Sequence, residues 1–241
     1  MFSILQLKIM LKAELHTHIN HDPEDTIPYS AQELIDCAAK KGFQVLGITC
    51  HNYVYHNPET DKYAKSKGIL LLSGVERTID GKHVLIYEIT PTDAQQIKHF
   101  RDLSIWKQKH PQSLVIAPHP FHLTGTCLKN KILKYLDLFD AWEYSWFYVS
   151  FFNPNKKTTA LAKRYHKSLT GSSDVHRLNC FGRTYTLIDA PQTKSSVFKA
   201  IRNGKVEVVT EPLPLGEFLR IMINVFLSKF RKTLRKNSRN S

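Results

Sequence analysis

Between Ala13 and Asp25 the chain reads AELHTHINHDPED, which places His16, His18, His21, Asp22, Glu24 and Asp25 within ten residues, directly after a short apolar run. Imidazole and carboxylate in such density are the ligand types that zinc, manganese and iron take from proteins. More of the same follow at wide intervals: His51, Glu76, His83, His119, Glu143, Asp174 and His176. An H-x-H pair at a strand end can aim both rings at one ion, which we expect to require a break in the strand's alternation. Cys37, Cys50, Cys127 and Cys180 are scattered without a C-x-x-C pair, so no thiolate set competes for metal. The candidate ligands outnumber those that one catalytic zinc takes beside its water, so two or three divalent ions (Mn, Zn or Fe) are expected. Such ions bring a bound water to a pKa of about 7 and clamp the oxygens of a phosphoryl group. The chemistry this points to is hydrolysis of a phosphate ester.

Residues spread from His16 to His176 meet only if the fold gathers them. Apolar runs of strand length lie at Lys8 to Leu15, Val45 to Thr49, Ile69 to Gly74, Val84 to Ile89, Leu114 to Ala117, Ala141 to Tyr144, Ser168 to Gly171 and Tyr185 to Ile188. Helix-like segments alternate with them. SAQELIDCAAKKG, from Ser30 to Gly42, has an N-cap serine, Glu33 in its first turn and a closing glycine. DAQQIKHFRDLSIWKQKH from Asp93, KKTTALAKRYHK from Lys156 and TKSSVFKAIRNG from Thr193 read as three more helices. The expected fold is α/β, one domain of repeated βα units closed into a barrel. His16 and His18 follow the first strand, His51 the second and Glu76 the third, while His83 opens the next. His119, Glu143, Asp174 and His176 follow or end later ones, and in a parallel barrel those carboxyl ends share one face, where such enzymes build active sites. His56, His99, His110 and His166 fall away from strand ends and read as solvated, and His122 reads as pocket wall. His21 is either a third ligand of its loop or a polar loop residue.

Composition agrees with a single globular domain. The chain has 241 residues, 42% apolar and 23% charged, which excludes collagen-like, disulfide-scaffold and long disordered classes. Its start, MFSILQLKIMLKAEL, lacks the cationic region and small-residue cleavage site of a secretory signal. Met10 offers an alternative start. A reducing, cytoplasmic setting is expected. The net charge is +13, and after Glu217 no acid balances Arg220, Lys229, Arg231, Lys232, Arg235, Lys236 and Arg239. We therefore divide the chain into a barrel over residues 1–211 and a basic amphipathic tail over 212–241. GEFLRIMINVFLSKFRKTLRK is too short and charged to span a bilayer, but suits a helix packed on the barrel, peripheral contact with anionic membrane, or nucleic-acid contact. A chain without metals would read instead as a nucleic-acid or membrane-surface binding module that has lost catalysis.

In order and spacing, HTH at His16 to His18, ITCHN around His51, GVE ending at Glu76, GKHVL around His83, APHP around His119 and SSDVH ending at His176 resemble the motifs of the polymerase and histidinol phosphatase (PHP) superfamily. The resemblance covers roughly residues 11–190. It implies a distorted (β/α)7 TIM-like barrel with a trinuclear site of manganese, zinc or iron. One ion would be held by His16, His18, Glu76 and Asp174, with Glu76 bridging to a second held by His83 and His119. His51, His176 and an acid of the first loop would hold the third. Asp25, standing before Thr26, matches that acid best, with His21 and Asp22 in reserve. Where the family often reads T-D-H, this chain has Thr49, Cys50 and His51, so an aspartate is missing and Cys50 either fills space or touches metal. A metal-bridging hydroxide would attack phosphorus, and Asp174 or His176 would protonate the leaving oxygen. Arg183 in FGRT is the first choice as phosphate clamp, Arg177 the second and Arg77 the third. The implied substrates are a small phosphomonoester, a nucleotide or an oligonucleotide. Trp142, Tyr144, Trp146, Phe147, Tyr148, Phe151 and Phe152 would either stack a base, form a lid or fill core.

Overall fold

The computed structural model describes residues 10–223; the first two residues of the strand expected from Lys8, and the tail from residue 224 onward, lie outside the described residues. The apolar runs form strands β1 (Leu11–Glu14), β2 (Val45–Ile48), β3 (Leu70–Ile79), β4 (Lys82–Tyr87), β5 (Val115–Ala117), β6 (Ala141–Ser145), β7 (Ser168–Ser172), β8 (Thr184–Ile188) and β9 (Val206–Thr210). Helices α1 (Ala31–Lys40), α2 (Pro58–Ser66), α3 (Pro91–Gln96), α4 (Phe100–Lys109), α5 (Lys131–Lys134), α6 (Asn155–Arg164) and α7 (Lys194–Arg202) connect them. Local chemistry sets the clearest of these. The Ser30 hydroxyl accepts from Glu33 N while the Glu33 carboxylate accepts from Ser30 N, a complete capping box, and α1 buries Ala31, Leu34, Ile35 and Ala38 on one face.

The strands form one nine-stranded, nearly closed sheet in the order β7-β6-β5-β4-β3-β2-β1-β8-β9. β1, β2 and β3 pair in parallel, as do β5, β6 and β7. The barrel is not a pure βα repeat. β4 runs antiparallel to both neighbours, because β3 returns through the two-residue turn Asp80-Gly81, whose φ angles of 48° and 72° are those of a tight hairpin. β3 also continues to Ile79 instead of stopping at Gly74, which puts Glu76 inside the strand. β8 is antiparallel to β1, and β9, absent from the sequence reading, pairs with β8 as an outer strand.

The helix expected from Asp93 is two helices. Ile97 and His99 are extended, with ψ of 97° and 156°. Asp102 takes the Lys98 and His99 amides and Asp80 takes Phe100 N, so side-chain acceptors replace the helical carbonyls at the break.

Closure is made by hydroxyls. Across the seam between β7 and β8, Thr186 Oγ1 accepts from Gly171 N and donates to Gly171 O, both at 2.9 Å. Ser173 Oγ donates to Thr184 O at 2.9 Å and accepts from Thr184 N at 3.2 Å. Gly171 is required there, since a Cβ would lie 2.6 Å from Tyr185 O. Inside the barrel Tyr87 is fully buried among Leu15, Leu72 and Leu85, and its hydroxyl donates to Leu15 O. Residues 215–223 are helical. Among the described residues no helix is long and apolar enough to cross a membrane.

The seam is testable. Thr186→Val keeps shape but strands both backbone groups of Gly171, and should lower unfolding free energy by about 2 kcal/mol in urea titration.

Candidate metal centre

His16 and His18 lie just past β1, where Thr17 bridges to Val175 in parallel, with His18 N donating to Val175 O and Val175 N to His16 O. The strand alternation is kept here, contrary to expectation. Thr17 turns away, its hydroxyl on Gly47 O at 2.6 Å, and the two histidines share the opposite face. The bridge between His51 and Glu76 extends the β2–β3 pairing in the same way. His83 arrives from the amino end of β4, since that strand runs backwards, and it opens the strand as expected; Glu143 lies within β6, whereas Glu76, expected after the third strand, is a residue of β3.

His16, His18, His51, His83 and His119 converge on Glu76, which is 1% exposed. Its Oε2 lies 3.3 Å from His16 Nε2, 3.6 Å from His18 Nε2 and 3.0 Å from His51 Nε2. Its Oε1 lies 2.7 Å from His83 Nδ1 and 3.1 Å from His119 Nε2. Asp174 Oδ1 stands 3.4 Å from His16 Nε2, 3.3 Å from His18 Nε2 and 3.4 Å from His176 Nδ1. Three overlapping groups result: His16, His18, Glu76 and Asp174; His51, Glu76 and His83; and His18, His51 and His176.

The donors fit divalent metal. Ligand atoms on a tetrahedral shell about 2.1 Å from an ion are spaced roughly 3.4 Å apart, close to the separations just given. His16 Nε2, His18 Nε2, His83 Nδ1 and Asp174 Oδ1 are buried yet lack a hydrogen-bond partner, a costly state for four atoms aimed at one space. The opposite ring nitrogens are occupied. His16 Nδ1 donates to Glu143 Oε2 at 2.8 Å, and His18 Nδ1 to Asp22 Oδ2 at 2.8 Å. His51 Nδ1 and His51 N also reach Asp22 Oδ2, at 3.0 and 2.8 Å. His119 Nδ1 is 3.4 Å from Cys127 Sγ. Such partners fix the tautomer and leave the inward nitrogen free for metal. His119 and Asp174 hold φ of 29° and 45°, strained for side-chain-bearing residues.

Electrostatics reflect the crowding. Burial opposes charge on His51, but its hydrogen bonds to Asp22 and Glu76 outweigh burial and raise it to about 10. His176, likewise opposed by burial, is raised to about 9 by Asp174 and Asp25. Burial would lift Glu76 and Asp174, but the surrounding imidazoles, His16 foremost, hold both well below the usual carboxylate range.

The remaining expected residues distribute unevenly. Asp25 is at the rim, half exposed, with Oδ2 3.2 Å from His176 Nε2, and it belongs to none of the three groups. Cys50 packs with Ile19, Ile48 and Tyr55 and is pushed up to about 12 by burial, so it fills space. His122 is wall, near Asn155 and lowered to about 4 by burial. His21 is exposed against Asn20 and Tyr55. Arg183 spends its guanidinium on Glu217, through two bonds of 2.7 Å. Arg77 bonds Asn52 and Ile97 O. Arg177, next to His176 in sequence, lines a cleft with Thr26, Pro28, Tyr29, Glu33 and Asn179, and it makes no salt bridge to a carboxylate among the described residues. Trp142 is core, whereas Phe151 is exposed. Sequence reading missed the orienting roles of Glu143 and Cys127; for Asp22, one of the first loop's surplus acids, the four-residue spacing from His18 was the available signal.

The model of the family described as PHP-associated matches residues 152–206. An uncharacterized protein of Methanocaldococcus jannaschii is 30% identical over 139 residues, covering 53% of this chain and 78% of its own. A PolC-type DNA polymerase III of Lactococcus lactis is 34% identical over 83 residues, 34% of this chain and only 5% of the polymerase. Among solved structures, PsfC from Pseudomonas syringae superposes with a TM-score of 0.61 at 15% identity, over 92% of this chain and 99% of its own. The lesion-specific endonuclease PfuEndoQ from Pyrococcus furiosus gives 0.56 at 14% identity, over 83% of this chain and 58% of its own. At these identities the structures establish likeness of fold.

Two outcomes are expected at the cluster. Asp22→Asn, which loosens two imidazoles at once, should weaken divalent-metal binding about 10- to 100-fold in competition with a chromogenic chelator. In the metal-free chain the raised values of His51 and His176 stabilise the fold fully below the ordinary imidazole value of about 6.5, and this contribution is lost as pH rises through about 9 to about 10. Thermal melts of chelator-treated protein between those limits should therefore fall with rising pH.

Proposed function

The chain belongs to the polymerase and histidinol phosphatase superfamily, and from that premise we propose that it is a divalent-metal-dependent phosphoric ester hydrolase. The observation that carries the reading is the convergence of three ligand groups on one buried carboxylate, with four inward-facing donor atoms left without hydrogen bonds. His16, His18, Glu76 and Asp174 would hold one ion, with His51, His83, His119 and His176 completing the others, and Asp25 is the proposed rim ligand. When bound, such ions lower the pKa of a water to about 7 and neutralise charge on phosphoryl oxygens.

The chain's own residues supply positioning and charge. Glu143 fixes His16 through Nδ1 and also accepts from His119 N at 3.1 Å, so one carboxylate sets two strand ends relative to each other. Asp22 does the same for His18 and His51. Arg177, next to His176 in sequence and without a salt bridge among the described residues, is the proposed holder of a non-bridging phosphate oxygen in preference to the Glu217-bound Arg183, since a planar guanidinium suits that role. His176 stands at the mouth with Asp174 behind it, and with one ring nitrogen given to an ion only its other nitrogen would remain to pass a proton to a leaving oxygen. The polymerase and endonuclease likenesses favour a nucleotide or oligonucleotide over a small monoester as the ester cleaved.

The test is metal analysis of the purified chain joined to hydrolysis of a phosphomonoester and phosphodiester panel with added manganese. Two or three metals per chain are expected, by the three groups, with turnover. His16→Ala should cut the rate about a thousandfold or more, equivalent to roughly 4 kcal/mol of transition-state stabilisation. A chain that stays metal-free and inactive after reconstitution would overturn the reading.

A further inference from the structure

The loop that follows β6 and the helix over 215–223 form one surface. Leu213 N donates to Tyr148 O at 2.8 Å, Phe218 stacks on Phe147 with ring centroids 5.0 Å apart, and Arg183 clamps Glu217. Once the helix is seated by Glu217 and Phe218, its other face has nothing to cover it among the described residues. Leu215, Leu219, Met222 and Ile223, spaced i, i+4, i+7 and i+8, make a single stripe there, and Ile223 is 57% exposed. Phe151, 75% exposed, and Phe152 lie further along the same loop, whose Phe147 and Tyr148 make the contacts with Phe218 and Leu213. These six are most of the exposed large apolar side chains among the described residues, and the others, Tyr53, Ile105 and Leu123, are far apart in sequence.

Charge identifies the occupant. Phe226 and Phe230 continue the apolar spacing in the sequence, and after Glu217 the chain carries Arg220, Lys229, Arg231, Lys232, Arg235, Lys236 and Arg239 with no acid. We propose that this surface docks on an anionic phospholipid membrane. Leucine, isoleucine and methionine gain by entering the acyl boundary, while the basic residues are drawn to anionic headgroups. A nucleic acid would match the charge and would find Phe151 and Phe152 to stack on, but it would leave the four aliphatic side chains Leu215, Leu219, Met222 and Ile223 in water, because bases stack on aromatic rings. The loop leaves the carboxyl end of β6, the end of the barrel that also carries the ligand cluster, so the docking surface and the cluster share one end of the barrel. The inference stands whether or not the cluster is catalytic.

Sedimentation of the full chain with phosphatidylcholine vesicles, with and without about 30% phosphatidylserine, tests it. The wild type should pellet with the anionic vesicles and much less with the neutral ones. L219E/I223E, which changes two exposed positions, should lose at least about tenfold in partitioning while its melting temperature and metal content stay unchanged. Failure of the wild type to pellet, or equal pelleting of L219E/I223E, would overturn the proposal. Tighter binding to a single-stranded oligonucleotide than to anionic vesicles, insensitive to L219E/I223E, would do the same and assign the surface to nucleic acid.

Discussion

Everything at the carboxyl end of this barrel depends on keeping one buried carboxylate ionised. Glu76 is nearly inaccessible, and burial alone would neutralise it. Imidazoles prevent that, His16 foremost with His119 and His51, while His18 and His83 crowd the same carboxylate. The requirement reaches into the backbone. Glu76 N bonds to the Thr49 and Cys50 carbonyls and Asn52 N to Glu76 O, so β3 must run on beyond the last paired residue of β2. The hairpin at Asp80-Gly81 then brings His83 back to the same end. Without that reversal a histidine on β4 would face the far end of the barrel.

A carboxylate can organise five rings only if the rings cannot turn. Glu143 from β6 and Asp22 from the first loop hold three of them by the outward nitrogen, and Cys127 approaches a fourth. Asp22 is itself immobilised by the Glu24 and Asp25 amides, at 2.9 and 3.0 Å. The acid-rich loop after β1 is thus mostly a brace. One carboxylate in it holds two imidazoles, one stands at the rim beside His176, and Glu24 bonds Asn52.

How much of this could be read from the chain follows from the range of each interaction. Strand positions, the capping box of α1 and the H-x-H pair are local patterns, and all appear where their residues place them. The reversal of β4 was encoded in Asp80-Gly81, a strong hairpin dipeptide, but it was masked by the expectation of a continuing βα repeat. The break between α3 and α4 has no glycine or proline to mark it, because it is made by acids, Asp80 and Asp102, that capture backbone amides. β9 contains Glu207 among valines and pairs only with β8, so its pattern is weak. Arg183 was assigned from its neighbours in sequence, whereas its partner Glu217 lies 34 residues later. Side-chain pairing at that distance has no sequence period.

The same charges explain how the barrel stands before any metal enters. Glu76, Asp174 and Asp22 would repel one another if bare, yet each is held below the usual carboxylate range. The protons that make this possible sit on His16, His51, His119 and His176, all raised despite burial that works against them. In the metal-free fold, protons therefore occupy the role of the cations. Metal must displace them, so binding is an exchange of divalent charge for protons and strengthens as pH rises, while the apo fold weakens over the same range. The exchange leaves hydrogen bonds such as Glu143 to His16 and Asp22 to His18 in place, because they use the nitrogens that face away from the cluster. A scaffold braced on its outer side can change what lies inside without repacking its strands.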